Sequence, residues 1–119
     1  MSSDGVYVNI DTDTGAGILL ASVKSEMVGA RESPIIENEV RAKAATRSWN
    51  IVMDLKDVTL LASMGLGMLV NLHKSCAKEG GKLAVCNVSP DIMGVLKITR
   101  MDKILKIVPD LDAAKKMMR

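Results

Sequence analysis

The chain has 119 residues, 48% of them hydrophobic, and its 16 basic and 14 acidic residues leave a formal charge of +2. That length suits one compact domain over residues 1–119 with a core that needs no disulfide or metal; the interspersed charges, with one Trp, one Tyr and no Phe, offer neither a basic surface nor a stacking platform for nucleic acid. The longest apolar runs, such as 66–70, are too short to span a bilayer and no secretory signal opens the chain, so a soluble, cytoplasmic protein without direct membrane insertion is expected.

In chain order, the first strand is expected at Val6 to Ile10, where Val6, Val8 and Ile10 alternate with Tyr7 and Asn9. A turn at Asp11 to Gly15 leads into Gly17 to Val23, and the pair reads as an antiparallel hairpin. Ser33-Pro34 supplies a cap and a first-turn proline for a helix reaching about Thr46, with Ile36, Val40, Lys43 and Ala44 at helical spacing. The short apolar run Ile51-Val52-Met53-Asp54-Leu55 predicts a central strand buried on both faces, with Asp54 at its carboxyl end. Val58, Leu60 and Leu61 are the apolar contacts of the next loop. Leu66, Leu69, Val70 and Ala77 then mark the buried face of a second helix that starts at Ser63 and ends at Gly80-Gly81.

Lys82 to Cys86 is the next strand, and Ser89-Pro90-Asp91 opens a third helix with Ile92, Val95, Leu96 and Ile98 as its apolar stripe. Ile104 to Val108 is a last strand, after which Pro109-Asp110 introduces a fourth helix with Leu111, Ala114 and Met118 on its inner face. The order β-β-α-β-α-β-α-β-α, with right-handed crossovers, predicts an α/β fold: a mixed sheet of about five strands with four helices.

Few residues invite catalysis. Gly65-Leu66-Gly67 lies where a dinucleotide fingerprint would, but Val70 stands in the place of the third glycine, and no Lys-Ser or Lys-Thr pair completes a phosphate loop. His73, the single histidine, falls near the edge of the buried stripe and reads as structural. Asp54 and Asp57 lack a matching base or oxyanion hole. Cys76 and Cys86 are too far apart in sequence for Cys-x-x-Cys and are expected to be buried thiols, so no metal, no cofactor and no enzyme activity is expected. Ser63 has two readings. As a helix cap it contributes about 1 kcal/mol, while the same helix N-terminus suits an attached phosphate, whose charge would disturb a docking surface formed by the apolar neighbours Ala62, Met64 and Met68. Spacing does not choose between them.

The segment Ile51-Val52-Met53-Asp54-Leu55-Lys56-Asp57-Val58-Thr59-Leu60-Leu61-Ala62-Ser63-Met64-Gly65-Leu66-Gly67 resembles the signature of STAS domains in anti-sigma factor antagonists: an apolar strand, Asp-Leu, a short loop, then Asp-Ser-Ser-Gly-Leu-Gly opening a helix. The resemblance continues through 80–90 and 95–105. It implies a bacterial partner-switching protein that binds an anti-sigma factor and so frees a sigma factor for transcription. The anti-sigma factor is commonly a serine kinase of ATPase fold, which phosphorylates the counterpart of Ser63, and a phosphatase reverses the step. The partner-binding residues implied are Ala62, Ser63, Met64, Gly65 and Met68, with Met27. The chain departs from the pattern at Ala62, at Met64, and at Val28 in Ser25-Glu26-Met27-Val28, where the family has polar groups. STAS domains also serve as unphosphorylated modules of stress-signalling complexes and membrane transport systems, and the fold does not separate these uses.

Overall fold

The computed structural model describes residues 2–4, 6–12 and 17–118. Strict alternation builds the hairpin: Val8 and Ile10 of β2 (Val8–Asp11) and Leu19, Ala21 and Val23 of β3 (Leu19–Val23) are buried, and the residues between them are half exposed. The two strands pair antiparallel with Val8 opposite Val23 and Ile10 opposite Ala21. Most of the expected Asp11 to Gly15 turn lies outside the described residues. Val6 does not open the strand and is 75% exposed, because the position that would face it, Ser25, has already left the sheet to bond Met27 O through its hydroxyl at 2.6 Å. A further strand, β1 (Ser2–Asp4), pairs antiparallel with the outer edge of β2. Its polar sequence carries no strand signal, since backbone pairing at an edge needs no apolar face.

β5 (Ile51–Asp54) is buried throughout and lies between β3 and β7 (Leu83–Cys86), parallel to both, with β8 (Lys106–Val108) beyond β7. The sheet order is therefore β1-β2-β3-β5-β7-β8, which contains the five expected strands plus the added edge. Alternate residues of β5 feed two cores. Ile51 and Met53 pack with α1 (Glu32–Thr46), α2 (Ser63–Lys78) and α3 (Pro90–Ile98) through Val40, Leu72 and Leu96, among others. Val52 packs with Ile18, Ala84, Cys86 and Ala114 of α4 (Leu111–Met118) on the opposite face. A second, two-stranded parallel sheet joins β4 (Met27–Val28) to β6 (Leu60–Leu61).

Several local expectations change. Helix α1 starts at Glu32, and Ser33 is inside it rather than capping it. The buried stripe of α2 is Gly65, Met68, Leu69, Leu72 and Cys76, so Leu69 stands while Leu66 and Val70 are half-buried and Ala77 is exposed. Leu60 is 54% exposed, because in the two-residue β6 alternation buries Leu61 in its place. Finally, a 3-10 turn (Met101–Lys103), entered through Arg100 at φ +62°, delays β8 to Lys106 and leaves Ile104 exposed. The cap-and-proline start of α3 does form, with Ser89 Oγ accepting from Ile92 N at 3.2 Å, but its buried stripe is Ile92 and Leu96, and Ile98 in the last turn is 85% exposed. Gly80, at φ +80°, closes α2, and Gly81 N donates to Cys76 O at 2.7 Å. No helix among the described residues is long and apolar enough to cross a membrane.

Candidate functional site

The site grows from the carboxyl end of β5. Asp54, buried at that end, accepts from Lys56 N at 3.0 Å and from Asn87 Nδ2 at 3.1 Å, which ties the start of the loop to the end of β7. Val58 N then turns back onto Leu55 O at 3.0 Å. From there the loop is laid along the segment before α1: Thr59 N and Leu60 N both donate to Glu26 O, at 2.8 and 3.0 Å, and Ala62 N donates to Val28 O at 3.0 Å.

This close approach explains a glycine. A Cβ on Gly65 would stand 2.6 Å from Leu61 Cδ1 and 2.7 Å from Val28 O, so only glycine lets α2 start against β4 and β6. Gly65 serves packing, which accounts for it without any nucleotide. On the other side of the contact, the buried Glu32 carboxylate reaches back to Gly29 N at 2.9 Å and holds the turn beside Met27 and Ala62. Glu32 escaped the sequence reading, although Gly29-x-x-Glu32 has the spacing by which a glutamate satisfies an N–H three residues earlier.

Ser63 is the first residue of α2. Ala62 takes the extended cap conformation (φ −84°, ψ 176°), no side chain caps the helix, and its first turn contains no acid. The Ser63 side chain is exposed and makes no hydrogen bond to the described residues. Capping therefore does not explain this serine. The uncapped N–H groups and the positive end of the helix dipole stand open beside its hydroxyl.

Around Ser63 the surface is apolar. Met64 is 52% and Met27 46% exposed, and both join Ala62 and the uncovered Leu60. Two of the expected surface residues are not there: Met68 is only 2% exposed and belongs to the core, and Gly65 is buried under Val28 and Leu61. Gly65 packs against β4 and β6, and Met68 sits in the core where it lines the cleft between α1 and α2. Between α1 and α2 a shallow cleft of about 270 Å³ brings Ser63 and Met64 opposite Ser33 and Glu37. Neither lysine nor arginine lines it, and Glu37 is engaged by Arg41 at 2.9 Å. The Ser33 hydroxyl is buried there without a partner.

The remaining candidates stay apart. His73 is half-buried on α2, about 15 Å along the helix from Ser63 at 1.5 Å per residue, so no serine–histidine–aspartate array forms. Cys76 and Cys86 are unpaired and buried. Burial pushes the Cys76 thiol up to about 11; burial, then the charges of Asp54 and Asp110, push Cys86 up to about 12. Neither is a ready nucleophile.

Residues 9–114 match the STAS domain model. The anti-sigma F factor antagonist of Paenibacillus polymyxa is 25% identical over 100 residues, covering 84% of this chain and 86% of that protein. Among solved structures, an anti-sigma factor antagonist from Mycobacterium paratuberculosis aligns over 100% of this chain and 92% of its own, with 26% identity and a TM-score of 0.76. A STAS-domain protein from Planctomyces limnophilus shares the fold at a TM-score of 0.82 and 21% identity, covering 93% of this chain and 97% of that one.

Proposed function

The chain belongs to the STAS-domain family, and from that premise we propose that it is a cytoplasmic anti-sigma factor antagonist, a binding protein rather than an enzyme, switched off by phosphorylation of Ser63. Its partner is an anti-sigma factor that is also a serine kinase of ATPase fold. ATP belongs to that partner's site, and a phosphatase restores the unmodified serine.

The observation that carries this reading is the free Ser63 hydroxyl at the uncapped start of α2, inside an exposed apolar patch. In the unmodified state Met27, Leu60, Ala62 and Met64 supply the surface that a partner desolvates on docking. A phosphate adds about −1.5 to −2 charges. The fold tolerates it, because the first-turn N–H groups of α2 lack a side-chain acceptor and the dipole favours an anion there by roughly 0.3–1 kcal/mol. The interface does not. With no lysine or arginine in the adjoining cleft, the charge stays at the surface and must be desolvated against the partner.

The test is incubation with the cognate kinase and ATP, followed by mass spectrometry of the phosphopeptide and binding measurements on variants. Phosphate is expected on Ser63; Ser63→Ala keeps partner affinity and Ser63→Asp weakens it by about tenfold or more, which is about 1.4 kcal/mol. No modification at Ser63, or equal affinities for the two variants, would overturn the switch. A second reading draws on Ala62 and Met64, which replace polar residues beside the serine: a STAS module of a stress-signalling or transport assembly that docks through the same patch and is never phosphorylated. Partner capture with an unmodified Ser63 after kinase treatment would select it.

A further inference from the structure

The end of the molecule opposite Ser63 carries a second concavity that the switch does not use. Helix α2 runs from the carboxyl end of β5 down to Lys78, so its last turns lie beside the amino-terminal ends of β7 and β8. There His73 and Ala77 of α2, Lys82 and Leu83 entering β7, Lys106 opening β8 and Met117 of α4 line a groove of about 370 Å³. That volume falls within the ~300–1,000 Å³ typical of small-molecule sites.

From its chemistry we infer that this groove binds a small soluble amphiphile, a short apolar chain bearing one anionic group. The walls are carbon: Ala77, Leu83 and Met117 present methyl, isobutyl and thioether groups. The formal charges on its lining are the two lysines, and no carboxylate is among them. Neither lysine is ion-paired with a described residue, although both are exposed. Lys106 is in register with Ala84, and Lys82 lies two residues before Ala84, so both stems rise from the α4 face of the sheet beside Met117, while Leu83 turns to the α2 face and the groove runs round the strand ends between them. The Lys82 backbone is held on both sides, its N–H by Asn50 Oδ1 at 3.1 Å and its carbonyl by Ile51 N at 2.8 Å. Lysines so placed lay their methylenes along an apolar floor and keep their ammonium groups at the water boundary. A neutral apolar guest would leave those charges unmatched. A nucleotide would find no Phe, Tyr or Trp ring in the lining.

The probe is octanoate below its micellar concentration, titrated into the isotope-labelled full chain and followed by amide NMR, with 1-octanol as the uncharged control. Saturable shifts centred on Ala77, Leu83 and Met117 are expected. Lys82→Glu with Lys106→Glu, both at exposed positions, is expected to weaken octanoate about tenfold while leaving 1-octanol unchanged. Ala77→Phe, also at an exposed position, is expected to fill the groove and abolish both. The site is refuted by an absence of saturable shifts, by shifts centred on Met27 and Met64, or by octanoate affinity unchanged in the charge-reversal or Ala77→Phe variants. A response to phosphatidylglycerol vesicles alone, with none to octanoate, refutes it as well.

Discussion

Ser33 and Ser89 each precede a proline near the start of a helix, yet only Ser89 turns its hydroxyl onto a backbone N–H, that of Ile92. Removing that bond by Ser89→Ala is expected to cost about 1 kcal/mol in urea unfolding. Ser33→Ala is expected to be neutral or stabilising by up to about 1 kcal/mol, because it deletes a buried hydroxyl with no partner. A loss equal to that of Ser89→Ala would show that Ser33 caps after all. Ser63 belongs with neither: its exposed, unbonded hydroxyl predicts that Ser63→Ala changes stability by less than about 0.5 kcal/mol, so any effect on partner binding reads out the surface alone. The tripeptide patterns were legible in the sequence. Which hydroxyl meets an N–H was not, because that depends on where the preceding turn places it, and before α1 the turn is held by Glu32 on Gly29.

At the scale of the element, α2 was readable in its existence and in both its ends, since Ser63 begins it and Gly80 terminates it. Its rotation about its own axis was not. The apolar residues Leu66, Met68, Leu69, Val70 and Leu72 crowd several faces, and periodicity alone leaves more than one stripe acceptable. Contact with β4 and β6 settles it by drawing Gly65 inward, which buries Met68 and turns Ala77 to water. The two glycines of Gly65-Leu66-Gly67 test this directly. Gly65→Ala places a methyl against Leu61 and the Val28 carbonyl and is expected to cost about 1–3 kcal/mol while disturbing the Met27–Met64 surface. At Gly67 nothing lies within 4 Å of the added Cβ, and Gly67→Ala is expected to gain about 0.5–1 kcal/mol by stiffening the helix. Thermal melts of the pair should move in opposite directions.

Across the whole molecule, one sheet separates a large core under α1, α2 and α3 from a small one under α4, with the buried thiol of Cys76 in the first and that of Cys86 in the second. An exposed thiol ionises near 9, whereas burial holds these protonated to about 11 and about 12. Below pH 9 both folded and unfolded chains retain these protons. Between about pH 9 and 11 the unfolded chain releases protons that the folded one keeps, so stability falls as pH rises, by up to roughly a kilocalorie per mole per pH unit for each thiol. Urea midpoints from pH 8 to 10.5 should decline accordingly, and Cys76→Ala should remove one thiol's share of the slope. The same architecture separates the two proposed surfaces, the switch at the N-terminus of α2 and the lysine-rimmed groove beside its last turns. By itself the sequence determined the five main strands, the four helices and their order, because alternation, caps and paired glycines act between neighbours in the chain. Tertiary structure alone decided that Met68 is core, that Leu60 is surface and that Ser63 is left free of the cap. Burial is conferred by whatever packs against a residue, and here the packing comes from Glu26, Val28 and Glu32, far back along the chain.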